Sequence, residues 1–158
     1  MSYRNRQPKD FIKSLQIIHF GFLFVIVVFG AYVAINANEN LIFSYKEDKA
    51  FLYLAILIAF VGNLSSKFLY TKLIKQIPEN AKLLDKASKY STAHIFRMAM
   101  LEFPALMCII FVLKSNNSFY FILVGILILM ILAIYPTKDK FQKDVSLTNK
   151  EKSMLEKL

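Results

Sequence analysis

The chain has 158 residues, of which 56% are hydrophobic, and its mean hydropathy is +0.45. It also carries 20 Lys and Arg against 11 Asp and Glu, which gives a net charge of +9. The apolar residues are gathered into four runs nearly free of charge, a pattern typical of a polytopic helical membrane protein. Because the cations flank these runs, they indicate orientation and contact with lipid headgroups, and we expect no nucleic-acid partner.

The four apolar runs predict an all-α, antiparallel bundle of four transmembrane helices. Each run is close to the ~20 residues that cross a ~30 Å hydrocarbon core at 1.5 Å per residue. The runs lie at about residues 15–35, 50–70, 92–113 and 118–135. The single cysteine, Cys108, lies within the third run, so no intramolecular disulfide is expected.

The segments outside this transmembrane domain (15–136) are charged. A basic arm at 1–14 precedes it, and a charged tail at 137–158 follows it. Thr148 and Glu151 in the tail have the spacing of a capping box. We expect either a short amphipathic helix, on the membrane or on a partner, or a frayed solvated tail.

The loop at 72–91 sets the predicted orientation. It carries five lysines against two acidic residues, so the positive-inside rule places it in the cytoplasm. Both termini come out cytoplasmic as well, as an even number of spans requires. Apolar residues on either side of Pro78 extend the two flanking helices into this loop. We expect the protein in the bacterial inner (cytoplasmic) membrane, with the lipid bilayer as a partner.

Small side chains line one stripe of the second predicted helix. Ala55, Ala59, Gly62 and Ser66 follow one another at spacings of four, three and four. In lipid such a stripe lets another helix approach closely, because packing drives association there. Asn63 lies beside the stripe near mid-membrane, where its amide needs a partner on another helix.

A carboxyl group, that of Glu102, lies in the middle of the third run. At that depth it must be neutral, paired or bound to an ion, and desolvation favours the neutral form. Pro104 frees the carbonyl of Met100 and is expected to kink the helix. If the second and third helices are antiparallel, Gly62 and Asn63 lie level with Glu102. Asn63 could then bond to the carboxyl within one protomer or across to the next.

Two nearby polar residues of the third run do not pair with Glu102. Arg97 precedes it by five residues, so the two side chains point about 140° apart, and we expect Arg97 to extend to the headgroups. His94 lies about 12 Å away along the axis. His19 of the first run is interpreted as interfacial or bonded to a neighbouring helix, since a proton relay needs several such groups in line.

Residues 55–113 resemble the c subunit (proteolipid) hairpin of rotary ATP synthases. That hairpin has a small-residue helix, a polar cytoplasmic turn and a second helix with a central acidic residue. The matching residues are Ala55, Ala59 and Gly62, the turn Lys75-Gln76-Ile77-Pro78-Glu79-Asn80-Ala81, and Met100 to Leu113.

The resemblance implies that the second and third helices form a c-subunit-like hairpin and that Glu102 corresponds to the ion-carrying carboxylate. Lys75, Gln76 and Pro78 would make loop or headgroup contacts. The whole chain also resembles four-helix membrane proteins of Bacteroidetes whose activity is uncharacterised.

We expect a structural or accessory subunit of a membrane assembly, as a homo-oligomer or within a larger complex. Glu102 is then a buried carboxyl at a helix contact. The alternative is a c-subunit-like oligomer in which Glu102 binds and releases a proton or a sodium ion. The sequence has no metal-ligand cluster, nucleophile–base pair or phosphate loop, so we expect no enzyme, cofactor or metal site.

Overall fold

The computed structural model describes residues 8–37 and 41–156, and this part of the chain is all-α. Its helices are α1 (Pro8–Asn36), α2 (Lys49–Lys75), α3 (Leu83–Ser115), α4 (Tyr120–Ala133), α5 (Lys138–Asp144) and α6 (Asn149–Glu156). α2 and α3 extend beyond the apolar runs that predict them and continue to either side of Pro78, whereas α4 is shorter than its run at 118–135. α3 stays one helix through Pro104.

Three of these helices, α1, α2 and α3, are each long and apolar enough to cross a membrane. Their length and composition indicate a membrane protein. α4 has 14 residues, which is about 21 Å at 1.5 Å per residue. It meets α5 at a bend of 79°, and the two make a fourth candidate span only when taken together. Pro136 lies in this bend and has no amide hydrogen with which to continue α4.

The main core lies around α3, against which α1, α2 and α4 all pack. Ala105, Cys108 and Ile109 of α3 are fully buried, as are Ile26 of α1 and Ile131 of α4. Large apolar side chains on the outer faces remain exposed, as they do when lipid surrounds a bundle. They include Phe24, Phe60, Phe68 and Leu129.

A second core lies at the end of the bundle that carries the α2–α3 loop, here called the basic end. There the tail folds back onto the helices: Phe141, Val145 and Leu155 are buried in one cluster with Leu15 of α1 and Tyr90 of α3. The short helix expected in the tail is present as α6, and the tail is packed against its own chain. Burial of this apolar area keeps α5 and α6 in place.

A buried lysine holds the tail as well. Lys86 is 1% exposed, and its Nζ donates to the Ser146 carbonyl (2.9 Å) and to Oε2 of Glu151 (3.0 Å). Glu151 also accepts from the Thr148 amide at 2.8 Å, which forms the capping box of α6. Burial alone would raise the pKa of Glu151, but the hydrogen bonds from Thr148 and Lys86 hold it below its ordinary value.

At the opposite end, the loop after α1 and the turn before α4 are joined by hydrogen bonds. Asn117 is 1% exposed; its Nδ2 donates to the Ser44 carbonyl (2.6 Å) and its Oδ1 accepts from the Ser44 amide (3.2 Å). The amide of Ile42 donates to the Asn116 carbonyl at 3.0 Å. Asn116 has φ 53°, a left-handed conformation that asparagine tolerates.

Candidate functional site

The small-residue stripe of α2 faces α3. Ala55 and Ser66 are buried, Ala59 packs against the main core, and the Ser66 hydroxyl donates to the Arg97 carbonyl at 3.2 Å. Closest of all is Gly62: a Cβ there would lie 2.5 Å from Cγ of Pro104 and 2.7 Å from the Met100 carbonyl oxygen. The glycine therefore packs on the carbonyl that Pro104 leaves without its helical hydrogen bond.

This crossing decides where Glu102 points. Met100 and Pro104 both face α2, and residue 102 lies 200° from each of them at 100° per residue. Its side chain is accordingly on the other side of α3, toward α1. There it lines a shallow groove of about 420 Å³ with Ile18, Gly21, Phe22 and Val25, here called the Glu102 groove.

The structure does not bring Asn63 and Glu102 together within the described chain, although Gly62 and Pro104 meet at that level. Both side chains are half-buried, and neither hydrogen-bonds to any described residue. Asn63 and Glu102 were expected at the same depth, but equal depth does not bring two side chains together when they point in different directions. The Glu102 carboxyl thus lies on the side of the bundle in a groove whose other lining residues are all apolar. A carboxyl in such surroundings is energetically unfavourable without a partner.

Arg97 does not extend freely to the headgroups. Its guanidinium carbon lies 4.5 Å from the centroid of the Tyr70 ring, in cation–π contact. The Tyr70 hydroxyl donates to Oδ2 of Asp144 at 2.5 Å, so α5 holds the ring beneath the guanidinium. Nε of Arg97 is buried and has no hydrogen-bond partner in the described structure.

The two histidines meet between α1 and α3. Nδ1 of His19 lies 3.2 Å from Nε2 of His94, and the rings stack at an interplanar angle of 27°. One nitrogen must donate and the other accept, so the pair cannot be doubly protonated while this bond exists. His19 is therefore bonded to a neighbouring helix, and Tyr135 packs edge-on against its ring at 5.3 Å.

Next to this pair is a polar cavity of about 220 Å³, here called the basic cavity. It lies where α2 and α3 meet the bend between α4 and α5. Its polar lining consists of Tyr70, Tyr90, His94, Arg97, Lys140, Lys143 and Asp144. Among the described residues no three His, Cys, Asp or Glu side chains lie together as metal ligands would.

Sequence reasoning singled out Arg97 and His94 but missed the α5 residues that complete this cavity. Lys140, Lys143 and Asp144 follow one another at spacings of three and one, which places them on one side of a helix. This spacing, directly after the last apolar run, could have predicted a charged helix face next to the membrane boundary. Lys75, Gln76 and Pro78 lie at the end of α2 and in the loop, away from both the groove and the cavity linings.

Comparison of the chain with models of known protein families, with curated proteins and with solved structures finds no match.

Proposed function

We propose that the protein is a four-span integral protein of the bacterial cytoplasmic membrane, with a structural or accessory role in a membrane assembly. The Glu102 groove is the surface on which a second copy of the chain packs. The observation that carries this proposal is the half-buried Glu102 carboxyl, which lies at mid-helix and has no hydrogen-bond partner among the described residues.

The way α4 ends supports its assignment as the fourth span. Carbonyl groups at a helix end need partners, above all where water is scarce. Nζ of Lys140 donates to the carbonyls of Ala133 (2.8 Å) and Tyr135 (3.1 Å), and Nε2 of Gln16 donates to that of Pro136 (3.0 Å). With these groups paired, the chain can turn at the membrane boundary after a short span. The lysines of the α2–α3 loop favour a cytoplasmic position for this end by the positive-inside rule.

The choice of a second copy follows from depth. Copies inserted in the same orientation hold Glu102 at the same level, so a twofold axis along the membrane normal brings the two carboxyls to one height. A neutral carboxyl donates and accepts, and two of them satisfy each other. Gly21 in the groove has open space around it, which leaves room for close approach of another helix. The other groove residues, Ile18, Phe22 and Val25, offer no polar side chain.

Cysteine cross-linking tests this arrangement in membranes. In a Cys108→Ala background, Glu102→Cys is expected to give a dimer with a short flexible bismaleimide, because two carboxyls that bond to each other hold their Cβ atoms farther apart than the roughly 3.5–4.5 Å of a disulfide. Phe103→Cys is the matched control: it lies at the same depth, is 61% exposed, and points 100° away around α3. Absence of the Glu102→Cys dimer, or equal cross-linking at Phe103, would refute the proposal.

The structural role has its own readout. Glu102→Gln keeps a donor and an acceptor and is expected to preserve the dimer. Glu102→Leu removes an interhelical hydrogen bond worth about 0.6–2 kcal/mol. The dissociation constant of the dimer should therefore rise roughly 3- to 30-fold. Equal dimer affinity of the Gln and Leu variants would show that the carboxyl contributes nothing to assembly.

The alternative implied by the c-subunit resemblance is that Glu102 binds and releases a proton or a sodium ion. A half-buried mid-helix carboxyl favours a proton over sodium, because sodium needs several oxygen ligands and the described groove supplies one side chain with oxygen atoms. Labelling of Glu102 by dicyclohexylcarbodiimide that rises on acidification would support proton binding, because the reagent reacts with the protonated carboxyl, and labelling that sodium ions suppress would support sodium binding. A Glu102 that does not react would exclude both.

A further inference from the structure

We propose that the basic cavity binds a phosphate group. Three cationic side chains, Arg97, Lys140 and Lys143, line it together with one carboxylate, that of Asp144. Asp144 already accepts from the Tyr70 hydroxyl. The lining therefore has an excess of positive charge, and an anion in the cavity relieves the repulsion between the cations. This proposal does not depend on Glu102 or on the groove.

Arg97 supplies the principal donor. The cation–π contact with the Tyr70 ring holds the guanidinium at the cavity, and its buried Nε has no acceptor in the described part of the chain. A buried donor without an acceptor costs about 1–3 kcal/mol. A planar guanidinium matches two phosphate oxygens at once, which a lone ammonium cannot do.

The two lysines of α5 complete the charge. Nζ of Lys140 gives two of its three hydrogens to the carbonyls of Ala133 and Tyr135, which fixes the ammonium at the cavity and leaves one hydrogen for a ligand. Lys143 is exposed and makes no hydrogen bond to a described residue. It lies at the rim, where it can meet an incoming anion without desolvation.

The size and position of the cavity define the ligand class. Its volume of about 220 Å³ far exceeds the roughly 10–15 Å³ that one water needs. Its wall includes Ala133 and Ile134, at the point where α4 ends, so it opens at the predicted membrane boundary. The ligand is a phosphomonoester or phosphodiester, which reaches the site either as a lipid headgroup or as a phosphate dissolved in water.

The test uses the full chain in detergent. Inorganic phosphate is titrated by calorimetry, and dioleoylphosphatidylglycerol binding to delipidated protein is measured by native mass spectrometry. Lys143→Gln changes an exposed side chain and should leave the fold intact; Arg97→Gln removes the principal donor. Lys89→Gln is the matched control, an exposed lysine of α3 at the same end that does not line the cavity.

We expect Arg97→Gln to weaken binding at least tenfold, since a hydrogen bond to a charged group is worth about 1.5–3 kcal/mol. Lys143→Gln should weaken it severalfold, and Lys89→Gln should leave it unchanged. Binding of the lipid alone supports a headgroup site, and binding of inorganic phosphate with the same variant pattern supports a soluble ligand. Absence of both, or equal loss in Lys89→Gln and Lys143→Gln, overturns the proposal.

Discussion

Replacement of Gly62 by alanine tests the crossing that orients Glu102. The new Cβ would lie 2.5 Å from Pro104 Cγ and 2.7 Å from the Met100 carbonyl oxygen. Neither atom belongs to a flexible side chain: one is part of a proline ring and the other is helix backbone. The helices must therefore move apart, and overpacking of this kind costs about 1–3 kcal/mol.

Gly125→Ala provides the reference for this measurement. Gly125 lies in α4, and nothing lies within 4 Å of a Cβ built there. Both substitutions gain the same helix propensity, about 0.8–1.0 kcal/mol. The difference between the two variants therefore isolates the steric cost, and we expect Gly62→Ala to be less stable than Gly125→Ala by about 1–3 kcal/mol.

The assay is the free energy of unfolding in mixed micelles, followed by circular dichroism as a denaturing detergent is added. If the two alanine variants unfold within about 0.5 kcal/mol of each other, the 1–3 kcal/mol clash is absent. The close approach of α2 to Met100 and Pro104 would then be wrong. The direction assigned to Glu102 would fall with it, because that direction was derived from this crossing.

Two further predictions concern how the tail is held. Glu151→Gln weakens the bond to buried Lys86, and we expect tail docking to lose about 1.5–3 kcal/mol, seen as a longer spin-label distance between positions 89 and 152. The folded-state pKa of Glu151 is lowered, so the contribution of its carboxylate to tail docking is fully present above about pH 4.3 and is lost as pH falls through that lowered pKa. A distance between the two spin labels that shortens on acidification would contradict the ion pair. Thr148→Ala should destabilise α6 by about 1 kcal/mol through loss of its cap, measured by amide hydrogen exchange. Ser153→Ala is the control, because the Ser153 hydroxyl bonds within the helix. Equal protection of the α6 amides in both variants would show that the capping box does not stabilise α6.

Most of the helices could be predicted because they depend on local sequence, but α5 was not predicted. The apolar runs mark α1, α2 and α3, and the spacing of Thr148 and Glu151 marks the start of α6. The run at 118–135 overestimates the length of α4, which ends at Ala133, where Lys140 and Gln16 bond to the carbonyls of Ala133 and Pro136. The hydropathy of the run at 118–135 cannot predict these hydrogen bonds, because Lys140 and Gln16 both lie outside that run.

Less of the candidate site than of the fold could be predicted, because the site depends on which helices are neighbours. His19 and His94 are 75 residues apart and meet only because α1 packs on α3. The antiparallel pairing of α2 and α3 predicted Gly62 and Asn63 level with Glu102, but the direction of the Glu102 side chain depends on which face of α3 meets α2. Arg97 was expected to extend to the headgroups, because no spacing within α3 indicates that Tyr70 of α2 lies against its guanidinium.

The folded-back tail has a consequence for how the protein is made. Ile12 and Leu15 of α1 are buried in one cluster with Phe141 and Leu155, which leave the ribosome more than a hundred residues later. Part of the apolar surface of α1 is therefore uncovered until α5 and α6 have been synthesised. A chain stalled before α5 would present this apolar surface, which quality-control proteases can recognise.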